Sequence, residues 1–96
     1  MSITVKSFLT LRQVMSNQSE VIFDAAPMTI LELLDRLGER FGQELIDMMF
    51  EPSTGEVHHF FKIIVNGRHY TTLPDKAETV LQDGDVVAIF PPVAGG

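Results

Sequence analysis

Thr29-Ile30-Leu31-Glu32-Leu33-Leu34-Asp35-Arg36-Leu37-Gly38-Glu39-Arg40-Phe41 is the stretch on which the fold turns. Ile30, Leu33, Leu34, Leu37 and Phe41 recur at helical spacing and make one apolar stripe, with Glu32, Asp35, Arg36, Glu39 and Arg40 on the remaining face. Thr29 and Glu32 stand as a capping box: the threonine oxygen accepts a free amide at the helix start, and the glutamate answers back to the threonine amide. Gly42 supplies the stop. Gly38 costs this helix up to about 1 kcal/mol relative to alanine, which predicts close packing of the helix on a sheet. A helix with one apolar stripe needs one sheet face to cover.

The strands lie on both sides of that helix. Ile3 to Leu9 alternates, with Ile3 and Val5 on one face and Thr4 and Lys6 on the other, the period of a half-buried strand. Val14 to Ser19 is polar and turn-like, and Glu20 to Asp24 returns as a second strand, forming a hairpin. Beyond the helix, Leu45, Met48 and Met49 form one apolar face of a short helix, with the methionines as core filler. Glu51-Pro52-Ser53-Thr54-Gly55-Glu56 has the composition of a turn or mobile loop. Phe60 to Asn66 reads as a third strand, Asn66-Gly67 as a hairpin turn, and Arg68 to Thr72 as a fourth strand. Asp83-Gly84-Asp85 turns the chain into the final strand, Val86 to Phe90, which Pro91-Pro92 ends because proline cannot donate to a ladder.

This order of strand, strand, helix, strand, strand, strand predicts an α+β sandwich of the β-grasp kind: a mixed sheet of four to five strands packed on one main helix. In that arrangement the first and last strands lie side by side in the middle, a place suited to the uniformly apolar last strand. Alternation assigns Ile3, Val5, Ile63, Val65, Val87 and Ile89 to the helix side. Phe8, Phe60, Ile64, Ala88 and Phe90 then point outward, as a docking face for a partner protein. The competing expectation is that Phe8 and Phe60 fold over the sheet edge or meet residues 43–59.

Ninety-six residues, 45% of them hydrophobic and 21% charged, make one ordinary domain, residues 1–96, with residues 91–96 as a flexible tail. With no cysteine there is no disulfide framework and no thiol nucleophile. The longest apolar run, Val86 to Phe90, is far short of the ~18 residues a membrane span requires, and no export signal is visible, so cytoplasmic residence is the expectation. Of the net charge of −6, residues 17–59 carry −7, with nine acids and two bases. Such a body repels phosphate backbones, which argues against nucleic acid, and steers a basic protein partner toward it; solubility alone is the plainer explanation.

Few residues carry chemistry. His58, His59 and His69 lack the spacing of a metal pair, so no metal is expected. Serines 2, 7, 16, 19 and 53 have no nucleophile elbow around them, and no glycine-rich phosphate loop is present. Carboxylates such as Glu32 and Asp35 belong to a solvated helix face. The exception is the end of the chain, Phe90-Pro91-Pro92-Val93-Ala94-Gly95-Gly96. Average glycine usage of about 7% puts two terminal glycines in about one chain in 200. Here they follow an outgoing strand and two stiffening prolines, and the side chains vanish where a narrow channel would close on backbone. Such a tail permits activation of its own terminal carboxylate.

That tail, with Asp83-Gly84-Asp85-Val86-Val87-Ala88-Ile89 before it, resembles the tail of the MoaD proteins, the small subunits of molybdopterin synthase, within the MoaD and ThiS ubiquitin-like group. The N-terminal strand, the helix at 29–41 and the Val65-Asn66-Gly67 hairpin fall in matching places, and the stretch 43–59 is longer than in the most compact members. The resemblance implies a sulfur carrier that is itself not an enzyme and binds no cofactor. Gly96 would be adenylated by an ATP-dependent, ubiquitin-activating-type enzyme and then thiocarboxylated. Gly95 would allow passage into the large subunit, MoaE, and Pro91, Pro92, Val93 and Ala94 would line the threaded segment. Two sulfur deliveries would build the dithiolene that binds molybdenum or tungsten, within a heterotetramer. The alternatives are a carrier for thiazole or cysteine synthesis, a ubiquitin-like modifier joined to lysines through Gly96, and an interaction module with an inert tail.

Overall fold

The computed structural model describes residues 2–8, 13, 17, 19–24, 27–58 and 61–91. Among the described residues the strands and α-helices run in the order β1 Ile3–Ser7, β2 Glu20–Phe23, β3 Met28–Thr29, α1 Ile30–Phe41, α2 Gln43–Met49, β4 Lys62–Val65, β5 Arg68–His69, β6 Val80–Leu81 and β7 Val86–Phe90. The main sheet has the order β2-β1-β7-β4-β5, and β3 and β6 form a separate two-stranded ribbon. β1 and β7 run parallel, with Val5 beside Val87 and Ser7 beside Ile89. The other ladders of the main sheet are antiparallel. The chain thus has the β-grasp order, with its first and last strands adjacent.

α1 begins as its residues require. Thr29 Oγ1 accepts from the Glu32 amide at 3.1 Å, and the Thr29 amide donates to Glu32 Oε1 at 2.9 Å. These bonds to Thr29, helped by Arg36, hold the Glu32 carboxyl below its usual range despite a small opposing desolvation. Ile30, Leu33, Leu34 and Leu37 are fully buried and meet Ile3, Val5, Ile63, Val87 and Ile89 from the sheet in one cluster. Burying side chains of this size is worth roughly 1.5–3 kcal/mol each, which makes this interface the main source of stability. Gly42, at φ +103°, ends α1 by donating to the Gly38 carbonyl at 2.8 Å, and α2 starts directly after it.

Three departures from the sequence reading have physical causes, whereas residues 51–56 form the turn their composition suggests, closed by the Glu51 amide on the Glu56 carbonyl at 2.8 Å and by Phe50 bridged to Val57. Arg68 to Thr72 is not one strand: after His69 the chain turns into a 3₁₀ helix, Tyr70–Thr72, because His69 Nδ1 and the His69 carbonyl bond to Thr71 and Thr72 and draw the backbone inward. Gly38 packs closely, but against Ile46 of α2 and not on the sheet. The β3–β6 ribbon has no signal in strands this short. Several strand ends also shift, β1 stopping at Ser7 and β2 at Phe23. Much of the Val14–Ser19 turn lies outside the described residues.

A methyl group on Gly38 would stand 2.5 Å from Ile46 Cγ1 and 2.9 Å from its Cδ1. Gly38→Ala gains up to about 1 kcal/mol of helix propensity. It also overpacks the α1–α2 contact, typically at a cost of about 1–3 kcal/mol. A net loss near 1 kcal/mol is expected in urea unfolding. In an Ile46→Ala background the same substitution should become neutral or stabilising, and an unchanged loss there would refute the contact as its cause.

Candidate functional site

The site is the outgoing end of β7 and the sheet face around it. β7 alternates as β1 does: Val87 and Ile89 are fully buried under α1, while Val86, Ala88 and Phe90 are half-buried on the opposite face. The register brings neighbours to them. Ala88 lies between Lys6 and Ile64, and Phe90 is paired with Lys62. Phe8, just past the end of β1, stacks on Phe90 with ring centroids 4.5 Å apart and planes 8° from parallel. Such a stack adds ~1 kcal/mol or so beyond area burial and fixes both rings at the root of the tail.

Of the five residues expected to point outward, Phe8, Ile64, Ala88 and Phe90 share the outer face, all half-buried. Phe60 lies outside the described residues. Phe8 stacks on Phe90, so Phe8, Phe90, Ala88 and Ile64 form an apolar strip along β7 and β4. Ile22, 62% exposed, stands apart from it on β2, with Thr4 of β1 between. Lys6 and Lys62 border the strip, and they are two of the three lysines in a chain of net charge −6. Only the sheet register places both lysines beside β7, and it also sets Glu20 opposite Lys6 on the same face. His69 faces Ile64 across the ladder, its ring 5.2 Å from that of Tyr70. The Tyr70 hydroxyl is pushed above its ordinary range by burial and, secondarily, by Glu56.

Pro91 is buried where β7 ends. Pro92, Val93, Ala94, Gly95 and Gly96 lie outside the described residues. The opposite end of β7 is tied down by side chains. Asn66, at φ +50°, donates through Nδ2 to Asp85 Oδ1 at 3.0 Å and accepts from the Val86 amide at 2.9 Å. Asp85 Oδ2 accepts from the Gln82 amide at 2.8 Å, and the Asp85 carbonyl accepts from the Thr4 amide at 3.0 Å. Asn66 was legible in the sequence as a turn residue only. Its second task, joining the β4–β5 turn to the start of the tail-bearing strand, needs a partner 19 residues away.

Among the described residues no group of three or more His, Cys, Asp or Glu side chains is arranged to hold a metal ion, and His59 lies outside them. Among them, too, no helix is long and apolar enough to cross a membrane.

A mixed five-stranded sheet in this order, covered on one face by a main helix, defines the ubiquitin-like class of β-grasp proteins. The chain belongs to the ThiS family, whose profile matches residues 5–96. It is 34% identical over 99 residues to small archaeal modifier protein 3 of Haloferax volcanii, with all of both chains covered. It is 35% identical over 80 residues to a putative sulfur carrier protein of Archaeoglobus fulgidus, covering 83% of this chain and 88% of the relative. The crystal structure of SAMP1 from Haloferax volcanii superposes with a TM-score of 0.78 at 26% identity, covering 100% of each chain. The protein is thus a member of the ubiquitin-like small sulfur carrier and modifier group.

Asn66→Asp tests the tie at the start of β7. The new carboxylate keeps the acceptor for the Val86 amide but sets a negative oxygen against Asp85 where a donor stood 3.0 Å away. A loss of about 1–2 kcal/mol at neutral pH is expected in thermal or urea unfolding. Repulsion raises the carboxyl pKa of the pair in the folded state, so the loss is full above that range and shrinks as pH falls through it. A deficit that stays constant down to the acid limit would mean that charge plays no part.

Proposed function

We propose that the protein is the sulfur-carrying small subunit of a molybdopterin synthase, a single ubiquitin-like domain whose tail, residues 91–96, bears the chemistry. The observation that carries this reading is the tail Phe90-Pro91-Pro92-Val93-Ala94-Gly95-Gly96, continuous with the central strand of a ThiS-family chain. A carboxylate at neutral pH is ionised and resists nucleophiles, so it must first be activated. In a partner adenylating enzyme of the ubiquitin-activating type, a Gly96 carboxylate oxygen attacks the α-phosphorus of ATP and pyrophosphate leaves. The outer sulfur of a donor persulfide then displaces AMP to give an acyl disulfide, and a second thiol attacks the donor sulfur, forming a disulfide with it and releasing a thiocarboxylate on Gly96. Gly95 lets the backbone pass a narrow channel, and Pro91, Pro92, Val93 and Ala94 line the threaded segment. Transfer of the sulfur to the pterin precursor in a MoaE-like large subunit returns the Gly96 carboxylate for another round. The cytoplasm supplies the ATP for this chemistry, and we place the protein there.

The second reading has its own support in the full-length similarity to a small archaeal modifier protein. In that case the Gly96 acyl group passes to a lysine amine and forms an isopeptide. The two readings share adenylation and differ in the acceptor, sulfur or nitrogen. The protein isolated from its own cells should carry the mass gain of an oxygen-to-sulfur exchange and co-purify with a MoaE-like subunit. Lysine conjugates without any thiocarboxylate would select the modifier.

Deleting Gly96 isolates the chemistry from the fold. Gly96 is five residues beyond Pro91, the last described residue, and has no side chain to contribute to a core. Melting curves of the full-length and truncated proteins should nearly coincide, while adenylation and sulfur acceptance disappear. A truncated protein that still gains sulfur would remove Gly96 from the proposal.

Docking belongs to the outer sheet face, with Phe90, Ala88, Ile64 and Phe8 as apolar contacts and Phe60 assigned to the same face from sequence alternation. An aromatic anchor that is buried on binding contributes on the order of 2 kcal/mol or more, roughly thirtyfold in affinity. Phe90→Ala and Ile64→Ala should each weaken binding to the large synthase subunit encoded in the same genome. Melting temperatures measured alongside separate docking from packing: lost stability with unchanged affinity would return these side chains to the core and move the docking face elsewhere.

A further inference from the structure

Residues 43–58 take no part in the tail or the outer sheet face, yet they are built with care. α2 folds back on α1 at Gly42, and the turn at 51–56 closes through the Glu51 amide on the Glu56 carbonyl and the Gly55 amide on the Glu51 carbonyl at 2.7 Å. Between α1, α2 and this turn lies a cleft of about 440 Å³ lined by Asp35, Glu39, Ile46, Phe50 and Gly55. Ile46 and Phe50 are only half-buried, so the cleft keeps an apolar floor in contact with water.

Its rim is anionic by placement as well as by composition. Asp35 and Glu39 stand four residues apart on α1, a like-charge arrangement that destabilises the helix carrying it. The cations of α1 lie on another side: Arg36 interacts with Glu32, and the Arg40 guanidinium sits 5.7 Å from the Phe23 ring centroid and 5.4 Å from that of Phe41. α2, which brings Ile46 to the cleft, contains no base. A neutral or acidic partner covering this cleft would leave carboxylates desolvated and unpaired, at a large penalty. A partner with bases beside apolar anchors meets no such penalty.

We propose that this cleft docks a basic amphipathic segment of a second protein. Apolar side chains of the segment rest on Ile46 and Phe50, and its Lys or Arg groups pair with Asp35 and Glu39. Those two carboxylates are one helical turn apart, a spacing of about 5–6 Å that bases four apart on a helix can match. The cleft is on the helix layer, across the sheet from Phe8 and Phe90, so both surfaces can be occupied at once. The inference goes beyond the sulfur-carrier reading and does not depend on it.

The test uses the full-length, isotope-labelled protein and a synthetic peptide with leucines and lysines at helical i, i+3 and i, i+4 spacing. An isomer of the same composition, scrambled so that no apolar face forms, serves as the control. Amide shifts should concentrate at residues 35–55, and the scrambled peptide should bind at least about tenfold more weakly. The double variant Asp35→Asn with Glu39→Gln keeps surface shape and should weaken binding about tenfold with a shallower salt dependence. Phe90→Ala should leave it unchanged. Equal binding of the scrambled peptide, or shifts spread over the whole acidic surface or the outer sheet face, would overturn the proposal and leave only net charge at work.

Discussion

The parallel pairing of β1 with β7 is the constraint on which the remaining structure depends. It joins Thr4 to Val86 and Ser7 to Ile89, bringing together strands separated by nearly the whole chain. Closing a loop of about 80 residues costs roughly 4 kcal/mol in its length-dependent part alone. The ladder repays that through burial: Ile3, Val5, Val87 and Ile89 are all fully buried beneath α1, each worth roughly 1.5–3 kcal/mol. The start of the pair is fixed by the Thr4 amide on the Asp85 carbonyl, the Ser2 amide on Asp83 Oδ1 at 2.7 Å and the Gly84 amide on the Ser2 carbonyl at 2.8 Å. With one end pinned in this way, the direction in which β7 leaves the sheet is set by the core itself.

The charge distribution follows the same layering. The acid-rich stretch, residues 17–59, forms β2, the helix layer and the closed turn, while Lys6 and Lys62 come from strands beside β7 on the other face. A molecule of net charge −6 therefore presents an apolar strip with Lys62 and a facing Lys6–Glu20 pair beside it on one side, and an apolar cleft bordered by carboxylates on the other. A like charge brought against the carboxylate rim is costly to bury, whereas the mixed rim of the sheet face penalises neither sign alone.

Sequence reading recovers what local spacing and turn chemistry encode. The α1 stripe, the Thr29–Glu32 box, the Asn66-Gly67 turn and the inward set Ile3, Val5, Ile63, Val65, Val87 and Ile89 all take the places their periodicity assigns. What escapes is decided by partners distant in the chain. Gly38 is explained by Ile46 on a following helix, and the β3–β6 ribbon by two residues on each side, too few to show a period. The Glu51–Glu56 stretch has the composition of a loop, but its backbone hydrogen bonds close it, and composition does not report on those. For the candidate site, the outward positions of Phe8, Ile64, Ala88 and Phe90 follow from alternation. The Phe8–Phe90 stack and the flanking lysines follow only from register.

Register also bears on how a carrier of this kind is told apart from its relatives. Under the proposed reading, a tail ending in two glycines offers every activating enzyme the same carboxylate and the same bare backbone, so it can supply reactivity but little discrimination. Selectivity would then come from the folded part next to the tail, where side chains differ. Here that part is narrow and well fixed: β7 sits in the middle of the sheet, Phe90 is held by Phe8 on one side and paired with Lys62 on the other, and Pro91 is buried at the strand end. Proline has no amide hydrogen to continue the ladder, so the strand ends at Phe90, within this cluster. A partner that recognises Phe90 and its neighbours thereby receives the tail at a defined point, and recognition and delivery become one event.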